Sequence, residues 1–415
     1  MSTTKGRPLD GLRVIDMTTT IAGPYCARLL ADAGAEVIKV ESPDGELTRH
    51  RPPLRQGAST SYGGLNAGKR NLVLDLKQKS AVDVVRRLAA TADVLVENFR
   101  PGVMERFGLG HAGLLAANPR LIYCAISGFG QTGPSSQLAA YAPAIHASSG
   151  FDLAHMAYQP NRTMPDYCGI YIADVLSGTY AYGAVTTALL QRHATGRGQV
   201  VDVSMLEAML NLTLGEVQGT QFELPPPPPR HMFGPVATRD GYVLPAIASE
   251  RTFQNAAKAC GREDWITDPR FEKYPDRRNN WGAFMDEMEA WTRTLPTSEV
   301  EAAFNRGGVP CSAYRTVAEA LADPQLAHRE ALAEVHDAGG SFRVMNAPYR
   351  LSGGPTTVRN FSAGLGEHSR EILAEAGYTT AEIDAMAATG AVKASGRPGL
   401  CPWTPPGSET LDLDL

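Results

Sequence analysis

The N-terminal half of the chain alternates between short apolar runs and segments in which apolar residues recur every three or four positions. Short apolar runs are typical of buried β-strands, whereas the longer spacing is typical of helices with one buried face. Strands that alternate with helices predict a mainly parallel sheet covered by helices on both faces, so the expected fold class is α/β. The predicted strands are residues 12–17, 36–41, 72–76, 94–96, 121–126 and 199–203, and the predicted helices are residues 23–33, 80–91, a segment ending near 117, and 170–193.

The pattern changes at five consecutive prolines, Pro225 to Pro229. Consecutive prolines form neither a helix nor a central strand and favour a stiff extended segment, which marks a domain boundary. Beyond them the chain is more polar and mainly helical, until strand patterns return after residue 337. These changes divide the chain into residues 1–224, a smaller domain with its proline-rich linker at 225–330, residues 331–394, and a tail at 395–415.

The composition excludes several classes of protein. A chain of 415 residues with 43% hydrophobic and 20% charged residues is expected to form two or three ordered domains. The net charge of -5 provides no positive field for a phosphate backbone, so no nucleic acid partner is expected. The N-terminus lacks an apolar leader and no apolar run approaches the length of a membrane span, so we expect a cytoplasmic protein without a membrane partner.

Several common catalytic and metal motifs are missing from the sequence. The six cysteines contain no C-x-x-C pair, so neither a metal site nor a disulfide framework is predicted. The first strand is followed by residues 18–24 (TTTIAGP), which match neither the dinucleotide fingerprint nor the phosphate loop of NTPases. Residues 128–133 (GFGQTG) also lack that spacing, but their glycines let backbone approach a ligand closely, which makes Gly130 a candidate active-site residue.

Eight blocks, in order along nearly the whole chain, resemble the class III CoA-transferases, the family of formyl-CoA transferase. The opening resembles the family at residues 9–16 (LDGLRVID), 22–24 and 30–41, and the longest later block is residues 92–102 (ADVLVENFRPG). A set of eight ordered blocks is far more specific than a single glycine pattern. The other blocks are residues 66–70, 75–77, 128–130, 195–199, 308–311 and 364–368.

The resemblance implies a fold and a reaction. It implies a large Rossmann-like α/β domain built from both chain ends, a small inserted domain, and two ring-like subunits interlocked as a homodimer. The family moves CoA from an acyl-CoA donor to a carboxylic acid without a tightly bound cofactor, through an aspartate that corresponds to Asp174. At the start of an apolar helix, an Asp carboxylate is kept ionised by the helix dipole, although Asp is also a common N-cap without any catalytic role.

Two alternatives to CoA transfer stay open. The related α-methylacyl-CoA racemases have a catalytic His where this chain has Tyr141, and the transferases have a Tyr, so the position favours transfer. His146 lies five residues further along and would serve as the base of a racemase only if its helix were shifted. The second alternative is a non-catalytic subunit that pairs with an active paralogue. Ala142, where formyl-CoA transferase has a Glu, argues against oxalate and formate as the substrate pair.

The resemblance also carries over to residues expected to bind CoA. Phe99 is expected to pack against adenine and Arg106 to pair with a phosphate. Ser42 departs from the family, because formyl-CoA transferase has an Arg there. Arg162, on a segment that precedes Asp174, is a candidate for holding a second substrate carboxylate, which suggests a dicarboxylate such as succinate. The expected CoA-binding residues are Ile21, Ala22, Leu74, Asp75, Lys77, Asn98, Phe99 and Arg106.

Overall fold

A computed structural model of the protein describes residues 6–159, 162–165, 168–223 and 233–394. The fold within these residues is α/β, as the alternating pattern predicted. Its strands are β1 (Arg13–Asp16), β2 (Glu36–Glu41), β3 (Leu54–Arg55), β4 (Ala58–Ser59), β5 (Arg70–Leu74), β6 (Val94–Glu97), β7 (Ile122–Ser127), β8 (Gln199–Ser204), β9 (Val236–Ala237), β10 (Tyr242–Pro245), β11 (Cys311–Ala313), β12 (Leu332–Asp337), β13 (Gly340–Met345) and β14 (Val392–Lys393).

The helices agree closely with the predicted ones, since the segments predicted at 23–33 and 170–193 lie within two residues of α1 and α8. The long helix α8 ends at Gly196, whose left-handed φ of +73° stops the helix. The helices are α1 (Ala22–Asp32), α2 (Thr60–Asn66), α3 (Lys79–Ala89), α4 (Val103–Arg106), α5 (His111–Ala117), α6 (Ala142–Ser148), α7 (Phe151–Ala157), α8 (Ile172–Thr195), α9 (Met205–Leu212), α10 (Leu214–Gly219), α11 (Glu250–Ala259), α12 (Tyr274–Asn279), α13 (Trp281–Thr292), α14 (Thr297–Arg306), α15 (Val317–Leu321), α16 (Pro324–His328), α17 (Ser369–Glu375) and α18 (Thr380–Ala388), with short 3-10 turns at Leu47–His50 and Glu263–Ile266.

The main sheet has the strand order β14-β5-β2-β1-β6-β7-β8. The six strands β5, β2, β1, β6, β7 and β8 each pair in parallel with their neighbours in this order, as expected for strands connected by helices. The edge strand β14 is antiparallel to β5 and was not predicted from the sequence. The order reverses at β1, because β2 and β6 flank it on opposite sides, and such a switch point opens a crevice at the carboxyl ends of the strands.

Both faces of this sheet are buried, which confirms the prediction of helices on each side. One face packs against α1 and α8, with Val14, Val37 and Val94 pointing into that core. The other face packs against α3, α17 and α18, through the buried residues Ile38 and Leu95. The strands are therefore apolar on both sides, and polar groups concentrate where the strands end.

The described residues divide by their contacts into two units. The first unit comprises the described residues within 1–152, 167–214 and 327–415, and the second comprises those within 153–166 and 215–326. The predicted boundaries at 224/225 and 330/331 lie within ten residues of two of these divisions, whereas the segment 153–166 belongs to the second unit. The proline run and the tail at 395–415 lie outside the described residues.

The second unit has a core of its own. Phe284 is at its centre and contacts the rings of Trp265 and Trp281, with ring centroids 5.1 and 5.2 Å away. The small sheet β9-β10-β11 covers this aromatic core. Among the described residues, no helix is both long and apolar enough to cross a membrane.

Candidate active site

The first cavity lies at the carboxyl edge of the main sheet. Its volume is about 260 Å³, and residues that follow β1, β2, β5 and β6 line it. Leu74, Asp75, Lys77 and Phe99, which were expected to bind CoA, all contribute to its wall, and so does Ser42. The end of an open parallel sheet is where ligands of this fold class usually bind, so the position of the cavity favours a ligand site.

A second cavity, of about 180 Å³, adjoins the first and shares Thr19 and Phe99 with it. Ala22, Tyr141 and Asp174 line its other side. The two cavities are therefore neighbours on either side of Phe99. The second cavity brings Ala22 of α1 together with Tyr141, just before α6, and Asp174 of α8, which lie more than a hundred positions further along the sequence.

Asp174 lies in the first turn of α8 and is partly buried. Tyr171 is the N-cap of this helix, so Asp174 does not serve as its cap. Instead, its carboxylate lies beside the backbone amide of Ala22, in the first turn of α1. Burial raises the pKa of Asp174 to about 6, against the opposing effects of the Ala22 amide and the charge of Arg51. The carboxylate is thus more basic than an ordinary Asp and is still mostly ionised at pH 7.

A close approach between α1 and α8 brings these groups together. A Cβ atom on Gly178 would lie 2.5 Å from the carbonyl oxygen of Ala22, a distance that no side chain tolerates. Gly178 follows Asp174 by one helical turn, on the same face of α8. The missing side chain at Gly178 therefore allows α8 to approach α1 closely enough for Asp174 to reach the Ala22 amide.

His146 is fully buried on α6 and contacts the start of α8. Its Nε2 atom accepts a hydrogen bond of 3.1 Å from the backbone amide of Ala173. Burial lowers the pKa of His146, opposed by the charge of Asp152, so the neutral ring that this bond requires is the favoured form. The lone pair of Nε2 accepts the hydrogen bond from this amide. His146 therefore cannot take a proton from a substrate through Nε2 while the bond is intact.

The loop between β1 and α1 is held by Asn98. The side chain of Asn98 accepts a hydrogen bond of 2.8 Å from the amide of Thr19 and donates one of 2.9 Å to the carbonyl of the same residue. The next residue, Thr20, has a positive φ of 68°, which is uncommon for a β-branched residue and shows local strain. Asn98 thereby stabilises the strained loop that leads directly to the Ala22 amide.

Buried charges lie beneath the same loop. Asp16, at the end of β1, forms ion pairs with Lys69 at 2.8 Å and with Lys39 at 3.7 Å, and all three side chains are almost completely inaccessible to solvent. Burial raises the pKa of Asp16, but the two lysines outweigh this effect and hold the pKa at about 2. The amide of Thr18 also donates to Asp16 at 2.9 Å. This network fixes the direction in which the chain leaves β1.

Tyr141 is the N-cap of α6, and 71% of its surface is exposed beside the second cavity. A glycine sets the path of the loop that leads to it. A Cβ atom on Gly128 would lie 2.2 Å from the Cβ atom of Ala140, so Gly128 lets the loop pack against the end of β7. Gly130 has a positive φ of +87° but does not line either cavity.

Arg51 adds a positive charge near the nucleophile candidate. Its guanidinium carbon lies 6.0 Å from the ring centroid of Tyr171, the residue that caps α8. The effect of Arg51 on the pKa of Asp174 places its charge close to that carboxylate. Arg51 was not among the residues predicted from the sequence, because the residues around it have no periodic pattern and its neighbour Tyr171 is distant in the sequence.

The family model described as CoA-transferase family III matches residues 9–369, almost all of the described chain. The chain belongs to CoA-transferase family III. The D-citramalate succinyl-CoA CoA-transferase of Chloroflexus aurantiacus is 35% identical over 393 residues, which cover 89% of this chain and 94% of the relative. The succinate–glutarate CoA-transferase of Agrobacterium fabrum is 30% identical, over 89% of this chain and 95% of the relative.

A solved structure also resembles this CoA-transferase. The crystal structure of a CAIB/BAIF family protein from Brucella suis has a TM-score of 0.78 and 32% sequence identity. The match covers 89% of this chain and the whole of the Brucella chain. The resemblance stated from eight sequence blocks is thereby confirmed at the level of the family.

The CoA-transferase structure gathers most of the predicted site residues. Asp174, Tyr141, Ala22, Asn98 and Phe99 surround the second cavity, and Phe99 also lines the first with Leu74, Asp75 and Lys77. Ile21 is the N-cap of α1, next to the Ala22 amide, and it does not line either cavity. Arg106 is exposed at the end of α4 and lies outside both linings. Arg162 belongs to the second unit, so its predicted role stays a prediction.

Two residues that position Asp174 were not predicted in that role from the sequence. Gly178 looks like any helical glycine in the sequence, because its contact with α1 depends on how two helices pack. His146 was considered as a base, whereas its ring caps α8 through an amide 27 residues away. A buried His next to a helix start is a signal that could have suggested a capping role.

Proposed function

We propose that this protein transfers CoA from an acyl-CoA to a carboxylic acid, with Asp174 as the nucleophile. The observation that carries this proposal is the environment of Asp174, a carboxylate with a pKa of about 6 that faces a cavity and lies beside the Ala22 amide. Among carboxylates, nucleophilicity increases with basicity, provided that the group is ionised. At pH 7 the ionised form of Asp174 exceeds the protonated form about ten to one.

The proposed reaction begins when an oxygen of Asp174 attacks the thioester carbonyl carbon of the donor. The C–S bond breaks, CoA leaves as a thiolate, and a mixed anhydride forms. The thiolate then attacks the carbonyl carbon of Asp174, which releases the first acid as its carboxylate and leaves an aspartyl-CoA thioester. The acceptor carboxylate repeats these steps in reverse order, and no proton is gained or lost overall. The N-terminal amides of α1 and α8 are placed to stabilise the negative charge that develops near Asp174.

The two cavities support binding of an extended CoA. We infer that the nucleotide occupies the first cavity, where Phe99 offers an aromatic face to adenine and Lys77 offers a cation to phosphate. The pantetheine arm then passes Thr19 and Phe99 to bring the thioester into the second cavity beside Asp174. Arg106, exposed at the end of α4, remains a candidate for a phosphate outside the cavity.

The substrate class that we propose is a dicarboxylic acid and its CoA thioester. The names of the relatives from Chloroflexus and Agrobacterium include D-citramalate, succinate and glutarate, which are dicarboxylic, and succinyl-CoA, the thioester of a dicarboxylic acid.

A homodimer is part of the same proposal. Apolar side chains exposed along α8, such as Tyr180 and Leu190, support it, and sedimentation of the purified protein tests it.

Mass spectrometry of the protein incubated with a panel of acyl-CoAs and hydroxylamine tests the proposed function. Hydroxylamine converts an anhydride or thioester of Asp174 to a hydroxamate, so we expect the mass change at Asp174 and none in Asp174→Ala. The acyl-CoA that produces the adduct identifies the donor.

Two results would contradict CoA transfer. Exchange of the α-proton of an acyl-CoA with deuterated water, without any adduct, would favour the racemase alternative. The absence of both adduct and exchange would favour a non-catalytic subunit.

A further inference from the structure

Arg51 occupies a fixed position at the start of the helix that carries Asp174. Its amide donates a hydrogen bond of 3.2 Å to the carbonyl of Thr48, and its own carbonyl accepts one of 2.7 Å from Ser59. Its guanidinium carbon lies 6.0 Å from the ring centroid of Tyr171, the N-cap of α8. Backbone bonds on one side and an aromatic ring on the other therefore hold the cation beside the first turn of α8.

Arg51 differs from the neighbouring arginines because it has no carboxylate partner within the described part of the chain. Arg49 is paired with Glu41 at 2.8 Å, and Arg55 with Asp337 at 2.8 Å. Among the residues that the structure describes, no carboxylate lies within ion-pair distance of Arg51. Asp174 is close enough for its pKa to respond to Arg51, but the two do not form a salt bridge. The cation is partly buried and remains available for an anion that enters the site.

We propose that Arg51 binds the distal carboxylate of a dicarboxylic acid whose other carboxyl group reacts at Asp174. This inference rests on the proposed function and assigns a residue to substrate recognition. A guanidinium presents paired N–H donors that match the two oxygens of a carboxylate, and the ring of Tyr171 lies against the guanidinium while it does so. A monocarboxylic acid uses its single carboxylate in the reaction and has no group left for Arg51.

The reacting carboxylate and the distal carboxylate of the substrate are expected to bind at different residues. The reacting carboxylate has to approach Asp174 from the second cavity, where the thioester is expected. Arg51 does not line that cavity and approaches the first turn of α8 beside Tyr171. Because Arg51 lies against the N-cap residue Tyr171 and Asp174 lies in the first turn of the same helix, we infer that a short diacid reacting at Asp174 presents its distal carboxylate to Arg51. Arg51 then determines which acids are accepted and takes no part in the bond changes.

The test compares two acceptors of equal carbon number, succinate and butyrate, with the purified protein and the donor that gives the Asp174 adduct. The value of kcat/KM for each acceptor is measured in the wild type, Arg51→Gln and Arg51→Lys. We expect the succinate-to-butyrate ratio to fall about 10- to 100-fold in Arg51→Gln, mainly through KM for succinate, and to recover in part in Arg51→Lys.

The ratio is the informative quantity because Arg51 also affects Asp174. Loss of the cation raises the pKa of Asp174 and changes kcat with every acceptor, and this shared effect cancels in the ratio. The matched control is Arg370→Gln, which removes an exposed arginine paired with Asp384 and is expected to leave the ratio as in the wild type. Adduct formation at Asp174 in Arg51→Gln shows that the variant is folded.

Three results would overturn the role of Arg51. One is a succinate-to-butyrate ratio in Arg51→Gln that equals the wild-type ratio, whatever the change in kcat that both acceptors share. Another is a fall in the ratio in Arg162→Gln with none in Arg51→Gln, which would assign the distal carboxylate to Arg162. The third is a wild-type preference for butyrate. If the wild type forms no adduct at Asp174 with any donor, the proposed function itself fails, so the two failures are distinguishable.

Discussion

The backbone amide of Ala22, in the first turn of α1, lies beside the carboxylate of Asp174, in the first turn of α8, and lowers its pKa. The carbonyl of the same residue, Ala22, is the atom that a side chain at Gly178 would strike at 2.5 Å. Contacts at the amide and at the carbonyl of Ala22 thus fix the spacing between α1 and α8. The geometry of the nucleophile depends on this spacing.

Gly178→Ala is expected to force α8 away from α1, because the obstructing atom is backbone and cannot rotate aside. The Ala22 amide and the Asp174 carboxylate would move apart, and the rate of adduct formation is expected to fall at least about tenfold. Overpacking of this kind costs about 1 to 3 kcal/mol of folding free energy. Single-turnover adduct formation and thermal unfolding measure the two effects.

Gly183→Ala is the matched control, since Gly183 lies on the same helix and no atom lies within 4 Å of an added Cβ. Alanine in an exposed helix stabilises by about 0.5 to 1 kcal/mol relative to glycine, so this variant is expected to melt higher and to keep its rate. Equal rates of adduct formation in Gly178→Ala and Gly183→Ala would show that the spacing between α1 and α8 does not control the reactivity of Asp174.

Asp174→Asn is expected to stabilise the protein at pH 7 while it abolishes adduct formation. The pKa of Asp174 is about 6 in the folded chain and 3.8 ordinarily, so between these pH values the folded state binds more protons. Stability therefore falls as the pH rises from 3.8 to about 6, and the ionised carboxylate costs about 1 to 3 kcal/mol above that window. Asparagine keeps an oxygen for the Ala22 amide and removes this cost.

Thermal unfolding of the wild type and Asp174→Asn at several pH values checks this expectation. The gain in melting temperature should be largest at pH 7 and should shrink as the pH approaches 4. Asp384→Asn, at an exposed ion pair, provides the comparison and should show no such dependence. A constant or absent gain would mean that the pKa of Asp174 is not raised by folding.

The rate of adduct formation is expected to depend on the ionised form of Asp174. Below pH 6 the rate should fall about tenfold per pH unit, and above pH 6 it should level off. In Arg51→Gln the midpoint should move to higher pH, because Arg51 lowers the pKa of this carboxylate. Single-turnover measurements over a pH series give both midpoints. A midpoint near 4, or no movement in the variant, would contradict the assigned environment.

Much of the fold was predictable because the periodic signal is strong. The parallel strands β1, β2, β6 and β7 are buried on both faces and appear in the sequence as apolar runs. Strand β14 has two residues and no periodicity, so it was missed. The start of β5 was predicted two residues late, at Leu72. Its first two residues, Arg70 and Asn71, are polar and do not belong to the apolar run.

The site was predictable only where the resemblance to the family supplied its residues. Asp174 and the wall of the first cavity were identified from that resemblance, whereas the contacts that position Asp174 were not. Gly178 and Gly183 are equivalent in the sequence, and the packing of α8 against α1 distinguishes them. Arg51 acquires its position from Tyr171, 120 residues away. Such pairings depend on tertiary structure, which no local pattern encodes.

His146→Leu is expected to disturb the start of α8, where Asp174 lies. The bond of 3.1 Å from the Ala173 amide to Nε2 is lost, and a fully buried N–H without an acceptor costs about 1 to 3 kcal/mol. Both the melting temperature and the adduct rate should fall. Glutamine carries an acceptor at a similar reach, so His146→Gln is expected to restore most of both. A racemase base would behave differently, because glutamine could not replace it and α-proton exchange in deuterated water, observed by NMR, would vanish in both variants.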